Sequence, residues 1–495
     1  MNVPVQRHGK AGRRSMSSFS EECTMTSLTL LINHGILSLN PNSRFADGST
    51  PWSVLANIAP GLVRMNEDGE LLPSLATEWS HDEGYRTFRF TLREGVRLHS
   101  GRLLTPELVI WNFQRFFSGR FDTLFGRDYQ GLTAIRADGD HGVVFEFDRP
   151  FPDFLHYLAW RTCIVDDVAD QPCGAGPFRL AEWKRGEYIR LEAFDDYYVP
   201  GQPAVDEIRV IWASSAEAKL AAIRSGNVDV IENVPMLAAG ALAEEGLLEY
   251  RTVASTRRAA LVLNTQAGPL ADLRVRKAVT HALDRVELTR MLFGDKAAPL
   301  TRSVLSSTPN PAITPYAYDV ETARTLLKEA GVGEGLVLRG VSTKVAPLPK
   351  VSAYVTEALA ELGISLDVRF YEDPPWWPFV YLDTEWDVAF QGMGVRPAQN
   401  VALQRDHRSD GPFNASGFAD AGLDALIDRA AQLPGGPARA AAQSGAEVTL
   451  HENVPFIPLY SAKACYGWKP GVQGVTTNAL GYLDLSAATA ADQSS

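Results

Sequence analysis

The residue types that do chemistry are all present, but their spacing builds no catalytic centre. The chain has no Gly-x-Ser-x-Gly elbow, no His-Glu-x-x-His zinc motif, no phosphate-binding loop and no Gly-x-Gly-x-x-Gly turn opening a helix after a strand. Its nine histidines are scattered, with no His-x-His or His-x-x-x-His pair. Cys23, Cys163, Cys173 and Cys465 include no Cys-x-x-Cys, so a zinc ribbon is not expected. Cys163 and Cys173 are either two small buried thiols or, in an oxidising compartment, a disulfide. The carboxylate pairs Asp166-Asp167 and Asp195-Asp196 lie beside turns, where solvation explains them better than acid–base work. No enzyme activity, no metal and no cofactor is expected.

With 495 residues the chain exceeds what one core usually holds, so two or three domains are expected. Its 45% apolar and 21% charged residues are ordinary for a globular protein. A net charge of -12 argues against nucleic acid as a partner, because neutralising phosphates takes clustered Lys and Arg. No apolar run is long enough to span a membrane. Residues 1–26 read as a disordered leader. Arg13-Arg14 matches the start of a twin-arginine export signal, but no apolar stretch follows it, so no signal peptide is recognisable. Met25 is an alternative start.

The elements that must position any site alternate between strand and helix. Leu28–Leu31 reads as a buried first strand, and 52–62 as a helix. Phe88, Phe90 and Leu92 alternate with polar residues as in a half-buried strand. Thr105-Pro106 opens a helix, and Ser214 with Glu217 opens another as a capping box. Asp272, Asp284 and Asp319 stand where helix caps belong. The clearest strand–helix–strand unit spans 336–370, and 386–392 adds a further strand. This order predicts an α/β layer architecture.

Read in sequence order, several short stretches become specific. Pro73-Ser74-Leu75-Ala76-Thr77-Glu78-Trp79 is followed by Arg93-Glu94-Gly95-Val96 and Leu104-Thr105-Pro106-Glu107. Then come Gly174-Ala175-Gly176-Pro177-Phe178, Asp195-Asp196-Tyr197-Tyr198 and Ser225-Gly226-Asn227-Val228-Asp229. Leu273-Arg274-Val275-Arg276-Lys277-Ala278, Tyr318-Asp319 with Glu329-Ala330-Gly331, and Val454-Pro455-Phe456-Ile457-Pro458 complete the series. The series resembles the family 5 extracellular solute-binding proteins, the peptide/nickel-type receptors of ABC importers, over residues 27–485.

The resemblance implies a two-lobed periplasmic-binding-protein-like α/β fold (cluster C) with an extra subdomain in lobe I. Lobe I would hold 27–265, including an inserted subdomain at about 66–158. Lobe II would hold 266–465, and 466–495 would return to lobe I and fray. Two crossings are expected near 259–266 and 458–468. The expected activity is hinge closure around a small polar ligand (peptide, opine or metal chelate) for an ABC importer. The expected partners are that ligand and the permease subunits, the expected state is a monomer, and the expected compartment is extracytoplasmic. The alternative is a cytoplasmic ligand-sensing protein on the same fold.

Peptide-binding members place an Asp after the strand that here is 386–392, where it pairs with the peptide amine. This chain has no Asp-Pro there, and Arg396 stands nearby. An arginine suits a carboxylate. The nickel branch implies a pocket arginine at Arg161, an early pocket residue at Trp52 and a histidine at His407. Arg161 and Arg396 from opposite lobes would then clamp an anionic ligand. His407 lies in the charged run Arg405-Asp406-His407-Arg408, which reads as a solvated loop. Trp376 and Trp377, between two prolines, form either an aromatic pocket wall or part of the core. Trp111 reads as structural.

Overall fold

The computed structural model describes residues 25–43, 46, 49–117, 128–166, 171–253, 258–294, 297–299, 310–333, 335–371, 380, 385–393 and 396–491. Two large sheets organise them, each with its own hydrophobic core. The first has seven strands in the order Glu249–Val253, Ala464–Trp468, Val230–Ile231, Ser27–Ile32, Glu207–Trp212, Tyr188–Ala193 and Phe178–Lys184. Ser27–Ile32 runs parallel to both of its neighbours. Its apolar run follows from burial on both faces. Leu28, Leu30 and Ile32 enter the main core, while Leu31 packs on the other side with Ile223, Leu242 and Leu248.

The second sheet has six strands in the order Ala297–Pro299, Phe456–Ala462, Arg258–Leu263, Val388–Met393, Val337–Thr343 and Ser365–Tyr371. The strand–helix–strand unit foreseen at 336–370 is Val337–Thr343, the helix Leu348–Ala360 and Ser365–Tyr371, with parallel strands. The helix buries Val351, Val355 and Leu359 completely. A separate four-stranded antiparallel sheet joins Ala76–His81, Thr87–Leu92, Gly142–Phe147 and Leu132–Asp138. Phe88, Phe90, Phe145 and Phe147 from this sheet surround Phe154, with ring centroids 4.9 to 6.2 Å from it.

The chain passes from the first sheet to the second between Val253 and Arg258 and returns between Ala462 and Ala464. This moves the expected boundary at residue 265. Arg258–Leu263 is an interior strand of the six-stranded sheet, paired on both sides. An apolar run specifies a buried strand without specifying which sheet accepts it. The return strand likewise begins at Ala464 rather than 466.

Local signals hold with small shifts. Asp272, Asp284 and Asp319 cap their helices through side-chain oxygens, as expected. The capping serine is Ser215 rather than Ser214, and its Oγ accepts from the Ala218 amide at 3.1 Å. The helix expected at 52–62 is Ser49–Ile58, because Pro60 disfavours helical backbone just before it. The strand expected at 386–392 is Val388–Met393, and Trp386 instead turns into the core.

The Gly174-Ala175-Gly176 stretch lies directly on the end of the Ser49–Ile58 helix. The Gly176 amide donates to the Ile58 carbonyl at 2.9 Å. A Cβ on Gly176 would stand 2.4 Å from the Asn57 carbonyl oxygen, and one on Gly174 2.5 Å from the Ala59 Cα. Backbone approach this close admits only glycine. Cys163 and Cys173 are free thiols, and Cys465 is buried. Trp111 is half-buried on the Pro106–Phe117 helix, where the Arg115 guanidinium lies 4.3 Å from its ring. No helix among the described residues is long and apolar enough to cross a membrane.

Candidate functional site

Two short helices from the first lobe meet an irregular turn from the second. Ser49–Ile58 carries Trp52, and Phe154–Arg161 carries Tyr157, Trp160 and Arg161. From the second lobe, the helix Gln399–Ala402 runs into a π-helical turn, Leu403–His407. A π-turn widens the backbone by one residue per turn and re-aims the side chains it carries. Here it turns Arg405, Asp406 and His407 inward, and all three are buried. The charged run 405–408 was expected to be a solvated loop, and its first three residues are interior. Charge pattern alone misled there, because ion pairs supplied from elsewhere make burial tolerable.

The Trp160 ring is the hub. Guanidinium carbons of Arg161, Arg405 and Arg396 lie 4.7, 5.0 and 5.2 Å from its centroid. Arg161 also lies 5.7 Å from the Trp52 ring. Phe413 faces the cluster from the second lobe, 4.8 Å from Arg405 and 5.3 Å from Arg396. The ring quadrupoles attract these cations more strongly inside than at the surface. The structure thus brings Trp52, Arg161, Arg396 and His407 into one region spanning both lobes. Trp376 and Trp377 lie outside the described residues.

Arg396 is not an open clamp jaw. Its Nη2 and Nε donate side-on to the Asp406 carboxylate at 2.7 and 3.2 Å. Arg405, which sequence reasoning assigned to solvent, pairs through Nη1 with Asp128 of the opposite lobe. Further contacts cross the interface. Tyr157 donates its hydroxyl to the Gln404 side-chain oxygen at 3.1 Å, and Arg439 donates to both Asp153 oxygens at 2.6 and 2.7 Å. Among the described residues, these contacts and a hydrogen bond from the Ala346 amide to the Ser214 carbonyl at 3.5 Å link the lobes. Arg405 also lines an interlobe cleft with Asp128, Tyr157, Gln404, Arg408 and Asp428.

Several buried polar atoms here make no hydrogen bond among the described residues. They are the indole nitrogens of Trp52 and Trp160, Nε and Nη2 of Arg405, Oδ1 of Asn400 and Nε2 of His407. Buried polar atoms are normally satisfied by protein, water or ligand. Similar atoms at His99 and Trp183 stand apart from this region.

Burial pushes the His407 imidazole down to about 4, helped by the Arg396 charge and opposed by Asp406. His99 is also pushed down to about 4 by burial, although its Nε2 faces the Gly176 carbonyl at 3.0 Å. Both folded values lie below the ordinary histidine value of 6.5. Above that value both states are neutral and the histidines contribute no pH dependence. As pH falls toward 4 the unfolded chain takes up protons that the folded chain refuses, so stability drops. Each histidine accounts for up to about 3 kcal/mol of that loss. Urea unfolding between pH 7.5 and 4.5 should show the decline, and His407→Gln should remove about one proton from its slope.

Residues 70–412 match the family described as bacterial extracellular solute-binding proteins, family 5 middle. The chain belongs to this family. A relative, the probable di/tripeptide-binding protein 5 of Pseudomonas aeruginosa, is 26% identical over 84% of this chain and 87% of its own length. Among solved structures, AgaA from A. tumefaciens R10 with agropinic acid has a TM-score of 0.82 at 22% identity, covering 92% of this chain and 98% of its own. NikZ from Campylobacter jejuni with Ni(L-His) has a TM-score of 0.81 at 19% identity, covering 92% and 96%. The two-lobed periplasmic-binding-protein fold expected from the sequence is thus the fold of this family 5 protein. The family consists of extracytoplasmic binding proteins of ABC importers, not of enzymes.

Trp160, Arg405, Asp128 and Asn400 were not foreseen as site residues. In the Trp160-Arg161 doublet only the arginine carries a charge that marks a pocket residue, so the role of Trp160 is not legible in the sequence. Arg405 carried no local signal, because its counter-ion stands 277 positions away in the chain.

Proposed function

We propose that this chain is the substrate-binding component of an ABC importer and captures a small carboxylate-bearing solute by hinge closure. A peptide, an opine or a metal chelate fits that description. The carrying observation is the set of buried, unsatisfied polar atoms contributed by both lobes around Trp160. Only closure assembles them, so a ligand that satisfies them favours the closed state and shifts the population toward it. The acidic groups in the region are already engaged, Asp406 by Arg396 and Asp128 by Arg405. That arrangement supports anchoring by ligand carboxylates over anchoring by an ammonium group. The relatives bind ligands of this kind: di- and tripeptides, agropinic acid and Ni(L-His). The protein would act outside the cytoplasm as a monomer that delivers its ligand to permease subunits.

Native mass spectrometry of protein purified from its own host tests the reading. A bound mass that fragments to a carboxylate-bearing solute is the expected result. A neutral ligand without a carboxylate would overturn it.

A further inference from the structure

We propose that Arg405 is the residue that grips the ligand carboxylate, and that Asp128 of the opposite lobe aims it. This rests on the proposed reading of the chain as a receptor for a carboxylate-bearing solute. A guanidinium presents two faces and several donors in a fixed plane. In Arg405 each part but one has an observed partner. One side of the environment is Trp160, 5.0 Å away, and another is Phe413, 4.8 Å away. Nη1 donates to Asp128. The remaining edge, Nε and Nη2, donates to nothing among the described residues, although the side chain is only 2% exposed.

That edge has the right geometry for a carboxylate. Two parallel N–H bonds project from it with the spacing of two carboxylate oxygens. The neighbouring Arg396 shows the same edge in use, since its Nε and Nη2 hold Asp406 in this way. The Trp160 indole N–H, on the ring against which Arg405 lies, is likewise unsatisfied. The interlobe cleft lined by Arg405 and Asp128 reaches this side chain. Leaving two charged donors buried and unmet costs more than leaving a neutral group unmet. A carboxylate supplies both acceptors at once and brings the opposite charge.

The arrangement couples recognition to closure. Asp128 meets Arg405 only when the lobes come together, and that contact orients the plane of the guanidinium. Arg405 is therefore a binding residue, and Asp128 is a positioning residue that acts through it.

The test compares acids with their esters. The probes are agropinic acid and a random tripeptide library, each against its methyl ester, and Ni(L-His)2 against the complex of histidine methyl ester. Affinities are measured by calorimetry for the wild type, Arg405→Lys, and the double variant Arg405→Gln/Asp128→Asn. Lysine keeps the charge and the pairing with Asp128 but lacks the two-nitrogen edge. The double variant removes both members of the buried pair, so neither is left alone. The wild type should prefer at least one acid over its ester. In both variants the affinity for that acid should fall about 10- to 100-fold more than the affinity for its ester, so that the acid preference is lost. Asp128→Asn alone should weaken acid and ester alike. If both Arg405 variants keep the acid preference while Arg161→Ala loses it, the assignment to Arg405 falls and the carboxylate receptor stands. If the wild type prefers no acid over its ester, both fall.

Discussion

Asp128→Ala should weaken ligand binding by about 100-fold or more and leave the lobes apart in solution. The side chains of Arg405 and Asp128 are 2% and 4% exposed, and they come from opposite lobes. In an open molecule water can solvate each of them. In the closed molecule the variant would bury the Arg405 charge without this counter-ion. Breaking a buried pair from one side costs about 3–5 kcal/mol. Because the pair exists only in the closed state, the cost falls on closure and leaves the folding of each lobe nearly untouched. Small-angle scattering should show no contraction on adding ligand, while the thermal midpoint of the unliganded protein stays close to wild type. A variant that contracts normally would show that this pair does not govern closure.

Arg161→Ala combined with Arg396→Ala should lower affinity by about 100-fold or more, through loss of the Arg161 cation and of the Arg396–Asp406 pair beside it. The two substitutions are not equivalent. Arg396 holds Asp406 at 2.7 Å, so removing it leaves a buried carboxylate next to His407. Arg396→Ala should therefore lower the unfolding midpoint as well as the affinity. Arg161→Ala, at the end of its helix against two tryptophan rings, should act mainly on affinity. Measuring both quantities for each single variant separates the roles. An unchanged affinity in the double variant would remove the two arginines from the binding site.

The parts of the fold that were legible in the sequence are those where one local cause dominates. Asp272, Asp284 and Asp319 each satisfy amides within three residues, so their caps need no tertiary information. The unit Val337–Tyr371 shows two periodicities in the right order, and its strands are neighbours in space. The destination of Arg258–Leu263 was not legible, because pairing with 388–393 and 456–462 is non-local. The site divides in the same way. The family resemblance pointed to Trp52, Arg161 and His407, and the departure from it after the 386–392 strand pointed to Arg396; the four lie in one region. Arg405 and Asp128 define each other across the interface, and neither has a recognisable environment alone. The π-turn that buries Arg405 leaves no trace in composition.

The way the chain changes lobes has a consequence for its birth on the ribosome. Phe456–Ala462 and Ala464–Trp468 are consecutive, yet the first is an interior strand of the six-stranded sheet and the second of the seven-stranded sheet. Both sheets therefore keep a gap until more than nine-tenths of the polypeptide has been made. In the seven-stranded sheet, Glu249–Val253 pairs with Ala464–Trp468 and has no place until that strand arrives. Domains usually fold one after another as synthesis proceeds. Here neither half can be finished first, and the last 40 residues complete both together. A nascent chain of this design stays unfinished through almost all of its elongation.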